Sequence, residues 1–370
     1  MGGNIPEVTL NTGARMPLVG LGTWTATDQV ASEADQGLAV KTALQLGYRH
    51  IDTAWQYRNG VAIGKGIKES GLPRSEIFLC DKLINTRHTR AEKALEETLE
   101  ELGTDYLDLW LMHWPVPLNP EGNDWKLPTR EDGSPDYYTG PSPRSPSSPF
   151  TFVDTWLSME RVFRKHPSKV RAIGVSNCST WHLTQILKAG SVVPAVNQIE
   201  IHPQLPQDKI IEFCRQKNVV VVAYSPLGSP QSTVLTDQKL VKLAESKGKG
   251  ISVANLLLNW ALARGYGVIP KTTSPQRMTD NLKLVDLTKE EMQIIRDVGM
   301  SAPKRYGTPA CACLAERHVE LGPWINSAYT ECIADQSIKR DFVVRRRGRG
   351  STEILSPNGI RKTYPNSDVK

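Results

Sequence analysis

The chain has 370 residues, 39% of them hydrophobic and 23% charged, which exceeds a typical single domain but suits one α/β barrel with extensions. No apolar run approaches the ~18 residues of a membrane helix, and the start, Met1-Gly2-Gly3-Asn4-Ile5-Pro6, lacks the basic and apolar regions of a secretory signal. A cytoplasmic, monomeric protein without membrane contact is therefore expected. Residues 301–370 carry +5 of the net +6 charge, so the rest is near neutral and no nucleic-acid partner is expected. The six cysteines include no C-x-x-C pair, which fits a reducing compartment, and no metal site is expected.

Residues 7–18 read as a short hairpin turning at Asn11-Thr12-Gly13. Strand-like and helix-like segments alternate after it. Strands are predicted at 18–21, 48–52, 77–82, 106–113, 170–175, 195–199, 219–224 and 267–270, with helices between them, as at 89–102 and 153–165. Eight strands, each followed by a helix, imply a parallel sheet closed into a (β/α)8 TIM barrel. The run Val219-Val220-Val221-Val222-Ala223 suits a strand buried on both faces. Gly47 and Gly190 stand where helices should stop.

Residues 115–150 hold nine of the 25 prolines and read as a long loop leaving the fourth strand at the end where barrels build active sites. Beyond residue 299 the β/α pattern is lost. The barrel is accordingly assigned to residues 1–299, and residues 300–370 to a divergent, flexible basic tail with the run Arg345-Arg346-Arg347-Gly348-Arg349.

The informative polar residues end apolar strands: Asp52 the second, Lys82 the third and His113 the fourth, with Tyr57 five residues after Asp52. In a parallel barrel all four converge on one rim. Singly, each has a bland reading: a helix-capping Asp, a solvated Lys, a core His. Together they suit carbonyl reduction, which needs a hydride on carbon and a proton on oxygen. Tyrosine is a weak acid with a reference pKa of ~10, and a neighbouring ammonium favours its anion. Asp52 would hold Lys82 charged, and His113 would orient the substrate oxygen.

The segments Gly20-Leu21-Gly22-Thr23-Trp24, Asp52-Thr53-Ala54-Trp55-Gln56-Tyr57, Asp81-Lys82-Leu83, Met112-His113-Trp114-Pro115, Ile173-Gly174-Val175-Ser176-Asn177, Val196-Asn197-Gln198-Ile199-Glu200, Ala223-Tyr224-Ser225-Pro226-Leu227-Gly228-Ser229 and Ile269-Pro270-Lys271 resemble the aldo-keto reductases. The resemblance covers about residues 7–298, in order and spacing, and the long proline-rich loop is most similar to fungal members. It implies that Asp52, Tyr57, Lys82 and His113 form the family's catalytic tetrad and that NADPH/NADP+ is the cofactor. Ser176, Asn177 and Gln198 would hold the nicotinamide carboxamide and Tyr224 would stack on the ring. Ser225, Leu227 and Ser229 would line the pyrophosphate. Lys271, Thr272, Arg277 and Asn281 would hold the adenosine end, and Thr23 would also touch the cofactor. Trp24, Trp55, Ile84 and Trp114 would surround a small-molecule carbonyl substrate.

Lys271 and Arg277 add a physical warrant for NADPH over NADH, because two cations reward a 2′-phosphate through charge-assisted hydrogen bonds. The start of the helix at Ser274-Pro275 also favours anions. A Rossmann reading fails, since Gly20-x-Gly22 lacks a third glycine at position 25.

The sequence departs from its relatives at Gly60, where Glu is frequent, at Asp81, where Ser or Thr is common, at Ile84 for a frequent Trp, and at Cys178 for a frequent Phe. Ile84 would widen the substrate pocket. Asp81 is expected to affect Lys82 little, because adjacent strand residues face opposite ways. Alternatives left open are a regulatory or redox-sensing NADPH-binding barrel without significant turnover, and a secondary-metabolite ketoreductase or alcohol dehydrogenase. Small aldehydes, sugar aldehydes and ketone intermediates all remain open as substrates.

Overall fold

The computed structural model describes residues 5–24, 33–120 and 128–307, except 132, 134 and 231, together with the strand segments 343–347, 351–355 and 361–365. In chain order the first half comprises β1 (Glu7–Thr9), β2 (Arg15–Pro17), β3 (Leu21–Gly22), α1 (Glu33–Gln45), β4 (His50–Asp52), α2 (Gly60–Glu69), β5 (Phe78–Leu83), α3 (Ala91–Leu102), β6 (Leu109–Met112), β7 (Pro141–Ser142), β8 (Ser145–Pro149) and α4 (Phe152–Lys165). The second half comprises β9 (Ile173–Ser176), α5 (Thr180–Ala189), β10 (Val196–Glu200), α6 (Asp208–Gln216), β11 (Val220–Tyr224), α7 (Gln238–Ser246), α8 (Val253–Ala263), β12 (Gly267–Val268), α9 (Pro275–Asn281) and α10 (Lys289–Met300). Past the barrel, β13 (Val343–Arg347), β14 (Ser351–Leu355) and β15 (Arg361–Pro365) form their own antiparallel sheet.

The strands β3, β4, β5, β6, β9, β10, β11 and β12 pair in parallel in that order. Bridges Val19–Val268 and Gly22–Lys271 join the two ends, so the predicted barrel is closed. The seam is tight: a Cβ at Gly22 would lie 2.7 Å from the Ile269 carbonyl oxygen, which only glycine avoids.

Strand alternation sorts the side chains into two cores. Phe78, Cys80, Leu109, Leu111, Ala172, Val196, Val222 and Ile269 fill the barrel, and Leu10 and Met16 of the β1–β2 hairpin region pack into the same cluster. Leu79, Leu83, Trp110, Met112, Ile173, Val175 and Val221 face the helix layer. Lys82 alternates inward with Cys80, while Asp81 lies on the opposite, helix-facing side, both of them buried.

The observed elements depart from the predicted bounds in ways that have local causes. α3 begins at Ala91, not 89, because a 3-10 turn, Asn85–Arg90, precedes it. Gly47 takes φ +110°, as a left-handed stop requires, whereas Gly190 has φ −90°. Gly190 is instead demanded by close packing on Glu160 and Trp156. The proline-rich loop contains the small β7–β8 hairpin, and residues 121–127 within it lie outside the described residues. Most of the expected tail, including residues 308–342 with Cys311, Cys313 and Cys332, also lies outside them.

Beneath the barrel, Asp108 ties three segments together. Its Oδ2 accepts from Arg74 Nη1 at 2.9 Å and from the Leu79 N–H at 3.0 Å, and its Oδ1 accepts from Arg171 Nη1 at 2.9 Å. Both guanidinium groups lie over the Tyr106 ring, 4.0 and 3.9 Å from its centroid. Asp108→Ala should lower unfolding stability by about 3 kcal/mol, since it removes the shared partner of two arginines and leaves the buried Leu79 N–H unpaired. A urea melt showing a loss under about 1 kcal/mol would refute this central role.

Candidate active site

β4, β5 and β6 deliver Asp52, Lys82 and His113 to one end of the barrel, and a 3-10 turn, Trp55–Tyr57, brings Tyr57 over them. Lys82 Nζ donates to Asp52 Oδ1 at 2.5 Å, to the Thr53 carbonyl at 2.8 Å and to the Tyr57 hydroxyl at 3.4 Å. The four residues predicted to act together are thus brought together.

Lys82 is 1% exposed. Burial alone would pull its pKa down, but the charges of Asp52, Tyr57 and Cys80 and the Asp52 hydrogen bond outweigh it and push the ammonium above the ordinary lysine range. Tyr57 differs from the expectation. Lys82 does lower its pKa, but burial is larger, and the hydroxyl is pushed up to about 12. Tyr57 therefore stays a neutral phenol at physiological pH. Burial and the Lys82 charge hold His113 well below the usual histidine range, so it is a neutral imidazole. Its ring packs edge-on against Tyr57, with centroids 5.8 Å apart, and stacks on Trp114 at 6.4 Å.

The residues assigned to the nicotinamide adjoin this cluster. Gln198 Nε2 donates to Asp52 Oδ2 at 2.6 Å. A carboxylate only accepts, so the amide must present its nitrogen there, leaving Oε1 to accept from elsewhere. Ser176 Oγ donates to the Gln198 carbonyl at 2.7 Å, and Asn177 Nδ2 donates to the His113 carbonyl at 3.0 Å. Tyr224 donates its hydroxyl proton to Asn177 Oδ1 at 2.8 Å. Asn177 takes φ +60°, a conformation that asparagine tolerates better than most residues.

The loop after β11 carries Ser225, with φ +48°, then Leu227 and Ser229, and Gly228 at φ +77° turns it. Lys271 and Thr272 follow β12, while Arg277 and Asn281 lie on α9. Burial and the nearby Arg277 charge lower the Lys271 pKa. Two cations therefore repel each other at this end, an arrangement that a dianion would relieve, so the residues present fit a phosphorylated dinucleotide.

Thr23 donates to the Asp52 carbonyl at 3.0 Å through its hydroxyl. Among the residues expected near substrate, Trp55 and Trp114 are half-buried beside the cluster and Trp24 is 57% exposed. Ile84 is fully buried where it leads into the Asn85–Arg90 turn.

Several residues escaped the sequence reading. Buried Asn59 accepts from Thr53 Oγ1 and donates to the Thr23 carbonyl and to Gln36, fixing the Tyr57 turn against two strand ends and α1. His88 is buried with neither ring nitrogen hydrogen-bonded among the described residues; burial lowers its pKa to about 3, and it acts electrostatically on His113.

Glu200, also fully buried, accepts from His202 Nε2 at 2.8 Å and from the N–H groups of Tyr306 and Gly307 at 2.8 and 2.7 Å. Gln204 accepts from the Tyr306 hydroxyl and donates to the Ala302 carbonyl. A Cβ on Gly307 would lie 3.2 Å from the Tyr224 hydroxyl oxygen, so this clamped segment reaches one of the residues expected at the nicotinamide. The available signal was a charged residue, Glu200, at the end of the buried strand β10, as Asp52 and Lys82 stand at or near the ends of theirs.

Residues 18–299 match the sequence profile described as Aldo/keto reductase family. The chain is 41% identical over 305 residues to aldehyde reductase YPR1 of Saccharomyces cerevisiae, covering 81% of this chain and 91% of the relative. It is 43% identical over 291 residues to D-galacturonate reductase of Hypocrea jecorina, covering 78% and 88%. Among solved structures it is similar to the aldose reductase of Schistosoma japonicum, with TM-score 0.73, 33% identity and coverage of 85% and 97%. It is also similar to a Bombyx mori aldo-keto reductase in complex with NADP, with TM-score 0.67, 33% identity and coverage of 79% and 92%. With its barrel closed and its strand-end cluster assembled, the chain belongs to the aldo/keto reductase family.

Proposed function

We propose that the protein is a cytosolic, monomeric NADPH-dependent reductase of aldehydes or ketones, with Tyr57 as proton donor. The observation that carries this reading is the Asp52–Lys82–Tyr57 chain at a barrel rim, with neutral His113 against Tyr57. The reduced nicotinamide, when bound, would supply the hydride that the carbonyl carbon needs. Tyr57, kept protonated by burial, hydrogen-bonds the carbonyl oxygen and hands over its proton as negative charge develops there. Lys82 stabilises the resulting phenolate from its hydrogen-bonding position. Asp52 keeps Lys82 charged, and Gln198 holds the other oxygen of Asp52. His113 orients the carbonyl as an uncharged donor. Ser176, Asn177, Gln198 and Tyr224 would hold the nicotinamide, the loop of Ser225, Leu227 and Ser229 the pyrophosphate, and Lys271, Thr272, Arg277 and Asn281 the adenosine end. Thr23 supports the cofactor edge, and Trp24, Trp55, Ile84 and Trp114 shape the substrate side. The family relatives named as an aldehyde reductase and a glycerol 2-dehydrogenase (NADP(+)) support this chemistry.

Tyr57→Phe should lower kcat by about a hundred- to ten-thousandfold, as loss of a general acid does, and leave NADPH binding intact. Steady-state reduction of glyceraldehyde, alongside quenching of protein fluorescence by NADPH, checks both. Near-normal turnover would end the proposed mechanism.

Arg277→Ala should weaken NADPH by about 1.5–3 kcal/mol, the worth of a charge-assisted hydrogen bond, and affect NADH little. Equal weakening of both in the same titration would show that Arg277 does not read the 2′-phosphate.

We place the end of the catalytic unit after Gly307 rather than at 299, because Glu200 and Gln204 bind residues 302–307. A chain truncated after Gly307 should keep its stability and its turnover of small aldehydes. One truncated after Val298 should lose about 3 kcal/mol or more, since Glu200 gives up two charge-assisted bonds. Equal urea midpoints for the two truncated chains would refute this boundary.

A further inference from the structure

Asp81 stands next to Lys82 but on the other face of β5, 2% exposed, and the chemistry above makes no use of it. Its Oδ1 accepts from the Lys82 N–H at 2.5 Å and from the Trp55 N–H at 3.3 Å. One carboxylate oxygen thus bridges the strand that holds Lys82 and the first residue of the Trp55–Tyr57 turn. The turn is gripped at Trp55 from a second direction, because the Arg87 guanidinium lies 3.7 Å from the Trp55 ring centroid.

The charges that act on Asp81 are the Lys82 ammonium of its own strand and the Glu101 carboxylate of α3. The turn itself offers the Trp55 N–H. Glu101 comes close because residue 60 has no side chain: a Cβ on Gly60 would lie 2.7 Å from Glu101 Oε1. Packing thus sets two acidic groups near each other beneath the turn that carries Tyr57.

On the tetrad reading given above, we propose that Asp81 is a positioning residue whose proton controls how firmly the Tyr57 turn is held over Lys82. An ionised carboxylate is the stronger acceptor for the Trp55 and Lys82 N–H groups, and protonation weakens both bonds. Burial, reinforced by Glu101 and opposed by Lys82 and the two N–H groups, pushes Asp81 up to about 7. Tyr57 sits at about 12 and His113 well below its usual range, so neither titrates near neutrality. A titration near pH 7 in the chemical step is then the signature of Asp81.

The sign for stability is separate and opposite. The folded carboxyl holds its proton to higher pH than the unfolded one, so the fold loses stability as pH rises from about 4 to about 7. Asp81→Asn removes that loss while keeping a neutral acceptor oxygen.

The test uses the full chain and the Asp81→Asn variant, with NADPH-driven reduction of glyceraldehyde and thermal melts from pH 5 to 9. Wild-type kcat should rise several-fold through a limb centred near pH 7, and the variant should be flat across it. The variant's Tm advantage over wild type should grow from pH 5 to pH 8. Asp81→Ala, which removes the acceptor, should lower kcat at every pH while leaving the NADPH Kd within about threefold. The same kcat limb in Asp81→Asn, a Tm difference independent of pH, or an undiminished kcat in Asp81→Ala would each overturn the proposal. Turnover retained by Tyr57→Phe would defeat the tetrad reading instead, and the melts would still report the Asp81 proton.

Discussion

The site depends on keeping one buried ammonium charged. An isolated buried lysine would lose its proton, because desolvation penalises the charged form. Lys82 escapes this through Asp52 at 2.5 Å, and the remaining donor capacity goes to the Thr53 carbonyl and the Tyr57 hydroxyl. Asp52 in turn has its second oxygen bound by Gln198. An ion pair at this depth is stable only when its spare lone pairs and protons are also satisfied. Here those satisfying groups are the ones proposed to do the chemistry and to hold the cofactor, so structure and function draw on the same bonds.

Parallel strands make this economical. Each strand end can present one polar residue at the rim while the residues below it remain apolar. Cys80 and Leu111 fill the interior beneath Lys82 and His113. The same alternation puts Asp81 outside, among the helices, where it is connected to the site through backbone N–H groups rather than through a side chain. The expectation that opposite faces would leave Asp81 with little effect on Lys82 takes no account of this route, nor of the Lys82 charge, which reaches the Asp81 carboxyl across the strand.

What was legible in the sequence follows from periodicity. Buried parallel strands show as apolar runs, and their ends show as sudden polar residues, so the barrel, its order and the cluster of Asp52, Lys82 and His113 could be read directly. Quantities set by the balance of opposing terms could not. Whether Lys82 or burial decides the acidity of Tyr57 depends on how deeply the turn lies, and burial wins. The attachment of residues 302–307 was harder to read, because the Tyr306 and Gly307 N–H groups and the Ala302 carbonyl that it uses carry no side-chain pattern. Asn59 shows the same limit, since a polar residue in a turn reads as solvated until its partners Thr23 and Thr53 are known.

These balances also bear on reaction direction. A half-buried phenol near pKa 12 and an uncharged imidazole are both proton-bearing groups at neutral pH. On the proposed roles they meet a carbonyl oxygen with two donors already in place, and the charge that develops on that oxygen passes to a phenolate beside Lys82. Oxidising an alcohol begins instead from the phenolate, and forming it at rest requires placing a second anion near Asp52 in a desolvated site, which burial and the Asp52 charge both disfavour. Lys82 offsets part of that penalty but not all of it, as the raised pKa shows. On the proposed roles the resting protonation state is therefore the one that reduction consumes, and it is desolvation, outweighing Lys82, that maintains it.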